Sequence, residues 1–214
     1  MGNLARNRKL EKGNSMDYSN SGLCKSPPVS KIDGEIANNM LFCWHYLGRV
    51  RGIICAYGHE EGCLVFTNLR SRVMEGKLRS EEIIPIELAR MVGKPDHLWS
   101  MSSLMSKAIG ILKSRREYDV IVTYADPLAG HDGMVYRAAN WTQAGWSVKD
   151  GHPVFIIDGR SVSPRTLYNR IGTSSIQAVK EYYGDRVKIV KKDRKGRFVY
   201  PLTNKGKRIM EIIM

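Results

Sequence analysis

The chain has no apolar run of the length that a membrane-spanning helix needs, which is about 20 residues. Its first residues are polar, and they lack the apolar core of a secretory signal peptide. These two absences argue against a membrane-embedded or secreted protein. We therefore expect a cytoplasmic protein that has no membrane partner.

Cysteine is scarce, with four residues in 214, and no Cys-x-x-Cys pair occurs. Cys43, Cys55 and Cys63 alternate with His45 and His59, a cluster that raises the question of zinc. Its spacing matches no closed structural zinc site. Cys55 and Cys63 flank an expected hairpin turn, and we interpret them as small core residues instead.

Acidic residues are few relative to basic ones. The chain has 21 Asp and Glu against 34 Lys and Arg, with a net charge of +13 and a pI near 9.7. A basic surplus of this size favours polyanionic partners such as nucleic acid, an anionic membrane or a phosphorylated cofactor. Because the basic residues are spread along the whole chain, nucleic acid is the favoured partner. The alternative is a basic surface that serves solubility alone.

Composition divides the chain into three parts. Residues 1–30 are rich in Asn, Ser, Gly, Lys and Pro, which predicts a flexible basic arm. Residues 31–202 carry the apolar pattern of one folded domain, and residues 203–214 form a basic C-terminal tail. A length of 214 residues is enough for one well-buried core.

Apolar spacing within the domain predicts a mixture of strands and helices, with a charged, irregular segment at 68–82. The predicted helices cover 34–47, 103–114, 131–139 and the segment from Ser174 to Gly184, and the predicted strands cover 52–57, 63–67, 84–92, 118–125, 154–157, 187–190 and 198–202. Ser102 or Ser103 is expected to cap the second helix, and a basic turn at 191–196 is expected to join the last two strands. The fold class is therefore α/β (α+β), a single domain with a twisted mixed sheet flanked by helices.

The densest cluster of ionisable side chains follows the strand at 118–125. The apolar run Val120–Val122 leads into Asp126, and two glycines then flank His131. A strand, a tight turn and a helix in this order deliver side chains into a crevice at a sheet edge. There Asp126 suits a general base or an acceptor for an amine, and His131 suits a proton shuttle. A simple turn cap and a turn histidine are the alternatives.

The order of strand, loop, helix, strand and helix over 84–139 resembles the core of the Gcn5-related N-acetyltransferase (GNAT) fold. That resemblance implies that the loop at 99–106 binds the pyrophosphate of an acyl-CoA, here through Ser100, Ser102 and Ser103. The loop lacks the Gln/Arg-x-x-Gly-x-Gly/Ala signature of that fold, so a Ser-rich helix start without a ligand is the alternative. Arg90 is a candidate contact for a cofactor phosphate or, equally, an edge charge.

Five segments in order also resemble the phage Mom family. They are Ile86–Val92, Thr123–Asp126, Gly130–Gly133, Tyr136–Trp141 and Lys195–Tyr200. His45 and Tyr46 stand where members of that family usually have an upstream His-Tyr, and the resemblance covers roughly residues 40–202. Arg137 departs from the pattern, because the relatives usually have Gln there.

The resemblance implies a phage-encoded, acyltransferase-like enzyme that acts on DNA. Mom proteins add a carbamoylmethyl-type group to the exocyclic N6 amine of adenine, which blocks host restriction enzymes. The implied donor is acetyl-CoA or a related acyl donor. Two alternatives stay open: an N-acetyltransferase that acts on a free or nucleobase amine, and a basic DNA-binding protein without catalytic activity.

The candidate catalytic residues are Asp126, His131, Tyr136 and Tyr46. Tyrosine often supplies the leaving-group acid in acetyltransferases of the fold that the chain resembles, which implies that role for Tyr136. His45, Tyr46 and Asp126 together are an alternative ligand set for a non-haem metal such as iron. Sequence spacing alone does not decide between these roles.

Double-stranded DNA is the expected partner, with the target adenine flipped out of the helix, because a compact α/β site cannot enclose N6 inside an intact duplex. Tyr46, Trp99 and Trp141 are candidate stacking platforms for that base, and core packing is the alternative for each. A small-molecule donor is the second partner. The oligomeric state stays open, with a homodimer as one option.

The remaining DNA contacts are expected from basic side chains. Lys195 and Arg197 lie on a basic turn, and Arg70 and Arg72 lie in the charged segment. Trp141 is a further expected DNA contact. Lys and Arg position a duplex through its phosphates without reading sequence. A solvated hairpin is the alternative for the first pair.

Overall fold

A computed structural model describes residues 28–97, 99–147, 153–162, 164–190 and 194–213. Its helices are α1 Gly34–Trp44, α2 Arg72–Ser80, α3 Met101–Arg115, α4 Met134–Ala138, α5 Pro164–Ile171, α6 Ile176–Tyr183 and α7 Ile209–Ile213. Its strands are β1 Ser30–Ile32, β2 Ile53–His59, β3 Gly62–Thr67, β4 Pro85–Gly93, β5 Val120–Ala125, β6 Thr142–Trp146, β7 Val154–Ile157, β8 Arg160–Val162, β9 Val187–Val190 and β10 Gly196–Pro201. Most of the predicted elements are therefore present.

Seven strands form one sheet in the order β1-β2-β3-β4-β5-β10-β6. Strands β4 and β5 pair in parallel, and the other neighbours in this sheet pair antiparallel. The mixed α/β class with helices flanking a central sheet is thus confirmed. The more specific likeness to the Gcn5-related fold stays a prediction.

The hairpin of β2 and β3 supplies much of the central core. Its strands pair from Ile53 with Thr67 to His59 with Gly62, so the predicted hairpin is confirmed. Cys55 and Cys63 are 7% and 0% exposed, which confirms both as core residues.

Strand β5 is buried on both faces, as its continuous apolar run predicts. Ile121 packs in the same cluster as Leu104 and Ala108 of α3, whereas Val120 and Val122 pack in the opposite cluster. Because its interior is held from both sides, β5 is a rigid carrier for whatever follows its carboxyl end.

Strands β4 and β5 separate part of the way along their length. Their parallel pairing covers Pro85 to Glu87 and ends there in the described chain, although both strands continue. A β-bulge accompanies the separation: Val65 and Phe66 of β3 are adjacent, but the β4 residues that face them have Ala89 between them. A bulge bends its strand, and the result is an opening between β4 and β5.

Helix α3 begins at Met101, two residues before the predicted start at 103. The Ser100 hydroxyl accepts the backbone N–H of Ser103 at 3.1 Å, which makes Ser100 the N-cap. The prediction that Ser102 or Ser103 caps this helix is therefore wrong. The true cap shifts the helix start toward the opening between the strands.

Helix α2 contradicts the prediction that 68–82 is irregular. Ser71 caps it by accepting the backbone N–H of Met74 at 3.4 Å. Met74 and Leu78, one helical turn apart, are both buried. The basic residues around this apolar pair conceal it in the sequence, and burial of the pair against the sheet selects the helix.

Residues 153–190 form a separate three-stranded sheet in the order β8-β7-β9, together with α5 and α6. The prediction placed the strand at 187–190 beside the final strand; instead β9 lies in this small sheet and β10 in the large one. The connecting residues 191–193 lie outside the described residues. Helix α5 has no counterpart in the prediction, and the helix predicted over the segment from Ser174 to Gly184 begins at Ile176, with Ser175 as its cap.

The two ends of the chain were predicted as an arm and a tail. Residues 1–27 of the arm lie outside the described residues, and Ser30 already pairs with Gly58 in β1 and β2. In the tail, Ile209 of α7 is 1% exposed and packs in the cluster of Val120 and Val122. None of the described helices is long and apolar enough to cross a membrane.

Candidate active site between the separated strands

A cavity of about 960 Å³ fills the opening between β4 and β5. Its lining consists of His45–Leu47, Arg70–Ser71, Glu87–Met91, Ser100–Ser102, Thr123–Asp126, Gly130–Tyr136, Ala138, Ser147, Lys195 and Arg197. All four candidate catalytic residues line it, as do Arg90 and two of the three predicted cofactor serines. The cavity is of the size that encloses small ligands in enzymes.

Asp126 occupies the carboxyl end of β5, and its carboxylate forms an ion pair inside the cavity. The Lys195 Nζ lies 2.6 Å from Asp126 Oδ2, with the lysine and aspartate side chains 31% and 16% exposed. The antiparallel pairing of Gly196 with Ala125 brings the two together. Lys195 was predicted as a DNA phosphate contact, which stays a prediction; in the structure its ammonium lies against the candidate catalytic carboxylate.

The turn after Asp126 carries His131 to the cavity. The backbone N–H of His131 donates to the Asp126 carbonyl at 3.1 Å, which closes the turn. Gly133 follows with φ +83°, and a Cβ there would overlap the ring of the buried Phe198. This glycine also ends any helical run from 131, so α4 starts at Met134 and is shorter than the predicted 131–139.

Tyr46 lies beside His131 at the cavity, with ring centroids 5.5 Å apart. Its ring also stacks on His45 at 4.7 Å, and Tyr46 is 55% exposed. Burial of the hydroxyl, with Asp126 nearby, raises the pKa of Tyr46 above its ordinary value, so the phenol stays protonated at neutral pH. The upstream His-Tyr and the glycine-flanked histidine are therefore brought together in space.

His45 is neutral at physiological pH. Burial, followed by the charges of Arg90 and His131, lowers the pKa of His45 to about 4. The backbone N–H of Leu47 donates to His45 Nδ1 at 3.1 Å, so the neutral ring carries its proton on Nε2. His45 therefore presents a neutral donor to the cavity.

Tyr136 sits deeper, on the inner wall. Its hydroxyl lies 3.3 Å from the Thr123 hydroxyl, which itself donates to the Leu88 carbonyl at 2.9 Å. These contacts connect β4 and β5 at the point where the two strands separate. Burial raises the pKa of Tyr136, which keeps a proton available on the phenol.

Strand β4 contributes a buried carboxylate and an arginine to the cavity. Glu87 is 4% exposed, accepts the backbone N–H of Arg70 at 2.9 Å and lies 3.6 Å from the Arg70 guanidinium. Burial raises the pKa of Glu87. Arg90 donates from Nη1 to the Ala89 carbonyl at 2.6 Å, but its buried Nε has no hydrogen-bond partner.

The start of α3 supplies the predicted cofactor serines. Ser100 and Ser102 line the cavity with hydroxyls 3.1 Å apart, whereas Ser103 uses its backbone N–H on the Ser100 cap. The start of a helix with its dipole and the unpartnered Arg90 Nε both favour an anionic group. They lie on the same cavity, so a negatively charged part of a donor fits here.

The predicted DNA contacts are scattered in the structure. Arg70 lines the cavity and Arg72 is exposed at the start of α2. Arg197 is engaged internally: its Nε donates to the Ala144 carbonyl at 2.8 Å and its Nη2 to the Ile213 carbonyl at 3.2 Å. These bonds tie α7 to the sheet.

Two of the three predicted stacking platforms are core residues. Trp141 is 4% exposed and packs against Tyr136 and Tyr200. Trp99 is 7% exposed and donates from Nε1 to Glu61 at 2.9 Å. Neither ring presents a face for a base, so Tyr46 is the aromatic side chain that meets this requirement.

The predicted metal ligands His45, Tyr46 and Asp126 line one cavity, so a metal site there stays a prediction. The backbone N–H of Leu47 occupies His45 Nδ1 at 3.1 Å, which leaves Nε2 as the nitrogen for a ligand. Asp126 is paired with Lys195. Among the described residues, no three His, Cys, Asp or Glu side chains are grouped to hold a metal.

A family model described as the Mom protein family matches residues 27–213 of this chain. No curated protein matches the chain. The matched range includes every residue of the cavity lining.

Proposed function

We propose that this chain, which belongs to the Mom protein family, transfers a carbamoylmethyl-type group to the exocyclic N6 of adenine. Membership of that family supports a role in phage DNA modification. The modified DNA then resists host restriction enzymes. The enzyme is an acyltransferase-like transferase that takes DNA and a small donor as its two substrates.

One observation carries this proposal: a single cavity of about 960 Å³ holds Asp126, His131 and Tyr46. Its volume accommodates a purine together with the reactive end of a donor. Extrusion of an adenine costs a few kcal/mol. Stacking of the extruded base on Tyr46 offsets that cost, since one base on one aromatic ring contributes about 1–3 kcal/mol.

The proposed chemistry assigns each proton to a residue. N6 forms a bond to the donor carbon and loses one proton, while the bond from that carbon to its leaving group breaks and the leaving group departs with the electron pair. Asp126 accepts the N6 proton, and the exposed His131 passes it to solvent. Tyr136, whose phenol is protonated, donates to the leaving group.

Lys195 acts through Asp126. Its ammonium, 2.6 Å from Asp126 Oδ2, holds the carboxylate oriented toward the cavity. Lys195 is thus a positioning residue in this scheme.

The proposed donor bears a leaving group on the methylene carbon of its carbamoylmethyl group and also carries a phosphate or carboxylate; an acyl-CoA thioester in its place would give an N6 amide. Arg90 and the start of α3 at Ser100 and Ser102 are the binding groups for the donor, because the buried Arg90 Nε has no partner within the described chain. No step in this scheme passes through a metal ion.

The test is mass spectrometry of nucleosides from plasmid DNA that has been co-expressed with the protein, with empty-vector DNA as the control. We expect a new adenosine derivative whose fragments place the added group on N6. An acetylated amine would identify an N-acetyltransferase instead. Unchanged DNA from cells that contain folded, DNA-binding protein would overturn the proposal.

A further inference from the structure

Residues 153–190, which we call the insertion module, have a core of their own. Phe155, Ile157, Leu167 and Val179 form it, from the small sheet and from helices α5 and α6. The active-site chemistry uses none of these residues. The module therefore needs a role of its own.

The module leaves and rejoins the chain at the cavity. Ser147, the last described residue before it, and Lys195, soon after it, both line the cavity. They are held together by two hydrogen bonds: the Ser147 N–H donates to the Lys195 carbonyl at 2.8 Å, and the Lys195 N–H donates to the Ser147 hydroxyl at 2.9 Å. Three residues join Val190 to Arg194 and span at most about 14 Å, so the module stands beside the cavity rim.

Helices α5 and α6 have the lengths and the short connection that are typical of a helix-turn-helix. Each has eight residues, and a four-residue connection that begins with Gly172 at φ +72° joins them. Ser175 caps α6 by accepting the backbone N–H of Ala178 at 3.3 Å. Leu167 and Val179 fix the pair from beneath. In helix-turn-helix proteins, this arrangement presents the second helix to the major groove of DNA.

The outer face of α6 carries side chains suited to that groove. Ile176, Gln177 and Lys180 are exposed on one side of α6, whereas Val179 is buried in the core of the module. A glutamine amide can pair with the N6 and N7 edge of adenine, and an apolar side chain contacts the methyl group of thymine. Gln177 donates to Glu181 at 3.1 Å, which restrains its amide on the exposed face.

The charge of the module is complementary to DNA. It contains six Lys and Arg residues against three Asp and Glu. One acid, Asp158, is paired with Arg186 at 3.0 Å. Within the described part of the chain, the exposed Arg170 and Lys180 take part in no ion pair, so both are available for phosphates.

We infer that α6 of the insertion module enters the major groove beside the target adenine, where Gln177 reads a flanking base pair and Arg170 and Lys180 contact phosphates. This inference rests on the proposed function, since it assigns the choice of adenine to a surface separate from the cavity. The cavity recognises the extruded base, and the module selects which adenine is extruded.

Two measurements test it on the full-length protein. In the first, the flanking sequences of modified adenines are mapped in DNA from cells that express wild type or Gln177→Ala. We expect the preference at one flanking position to fall roughly ten-fold in the variant, as when one bidentate base contact is lost. An unchanged sequence context would overturn the reading role of α6.

In the second, the salt dependence of binding to duplex DNA is measured for Lys180→Ala and for Lys113→Ala, a matched exposed lysine on α3. We expect the slope of log K against log [salt] to decrease by about 1 for Lys180→Ala only. Equal slopes would overturn the phosphate contact and point to a protein partner for this face. If wild type forms no adduct, the proposed function fails, and this binding measurement still decides whether the module contacts DNA.

Discussion

The ammonium of Lys195 lies 2.6 Å from the carboxylate of Asp126, across the cavity floor between a strand end and the strand that pairs with it. The two residues are 69 positions apart in the sequence (195 minus 126). A carboxylate that accepts a proton from adenine N6 must be held in a fixed orientation, and a charge-assisted hydrogen bond from an ammonium restrains it. The pair thus joins the fold directly to the proposed chemistry.

Substitution of Lys195 tests this relationship. We expect Lys195→Met to lower adduct formation roughly 10- to 100-fold, because a charge-assisted hydrogen bond to the carboxylate is lost. Lys195→Arg keeps the positive charge and should retain more activity. Lys77→Met, an exposed lysine on α2, is the matched control. If Lys195→Met and Lys77→Met form adduct equally well, the lysine does not position Asp126.

His45 should make the stability of the folded protein sensitive to acid. Its pKa is lowered to about 4 in the folded protein, chiefly by burial, from an ordinary value of 6.5. Between about pH 6.5 and pH 4 the unfolded chain binds a proton at this ring that the folded chain does not. The free energy of unfolding should therefore decrease as the pH falls through this window.

Urea unfolding of wild type and His45→Gln between pH 4 and pH 7.5, measured at a series of values, tests the assignment. The glutamine has no proton to gain, so we expect its free energy of unfolding to change less steeply over the acid window. Parallel curves for the two proteins would show that His45 is not held neutral by the fold.

Two glycines in the turn after Asp126 allow the effects of backbone strain and of side-chain overlap to be measured separately. Gly130 and Gly133 both have positive φ, at +76° and +83°, but a Cβ meets nothing within 4 Å at Gly130 and overlaps the Phe198 ring at Gly133. We expect Gly130→Ala to lower the free energy of unfolding by about 1 kcal/mol. Gly133→Ala should lower it by about 3 kcal/mol. Similar losses in both variants would mean that the turn does not pack on Phe198 as described.

Substitutions of Arg197 and of Arg72 should have opposite effects on protein stability and on the salt dependence of DNA binding. Arg197→Ala removes two donors to backbone carbonyls, and we expect about 2 kcal/mol lower stability with an unchanged salt slope of DNA binding. Arg72 is exposed, so Arg72→Ala should leave stability within about 0.5 kcal/mol and, if it contacts a phosphate, lower the slope by about 1. A lower slope for Arg197→Ala without lost stability would restore the DNA role predicted from the sequence.

Elements with strong local patterns could be predicted from the sequence. The unbroken apolar run of β5 marks a strand buried on both faces, and Cys55 and Cys63 mark the hairpin core. Helix α2 was not predicted, because only Met74 and Leu78 among its residues are buried. Two apolar side chains among basic ones are a weak local signal, and tertiary packing decides the outcome.

The sequence predicts which residues belong to the site, but it does not predict which of them pair with each other. Sequence order and family resemblance place Tyr46, Asp126 and His131 at one site, and all three line the cavity. Local pattern says nothing about the β-bulge at Ala89 that opens the strands, or about the pairing of Lys195 with Asp126. Both depend on register between strands that are distant in sequence.

The most direct test of the central claim, that Asp126 and His131 act together on an extruded adenine, is the adduct level in DNA from cells that express Asp126→Asn or His131→Gln. Thermal unfolding and DNA binding of the purified variants establish that each is folded. The account predicts that the N6 adduct falls by at least about 100-fold in both variants while melting temperature and DNA affinity are retained. Wild-type adduct levels in both folded variants would contradict it.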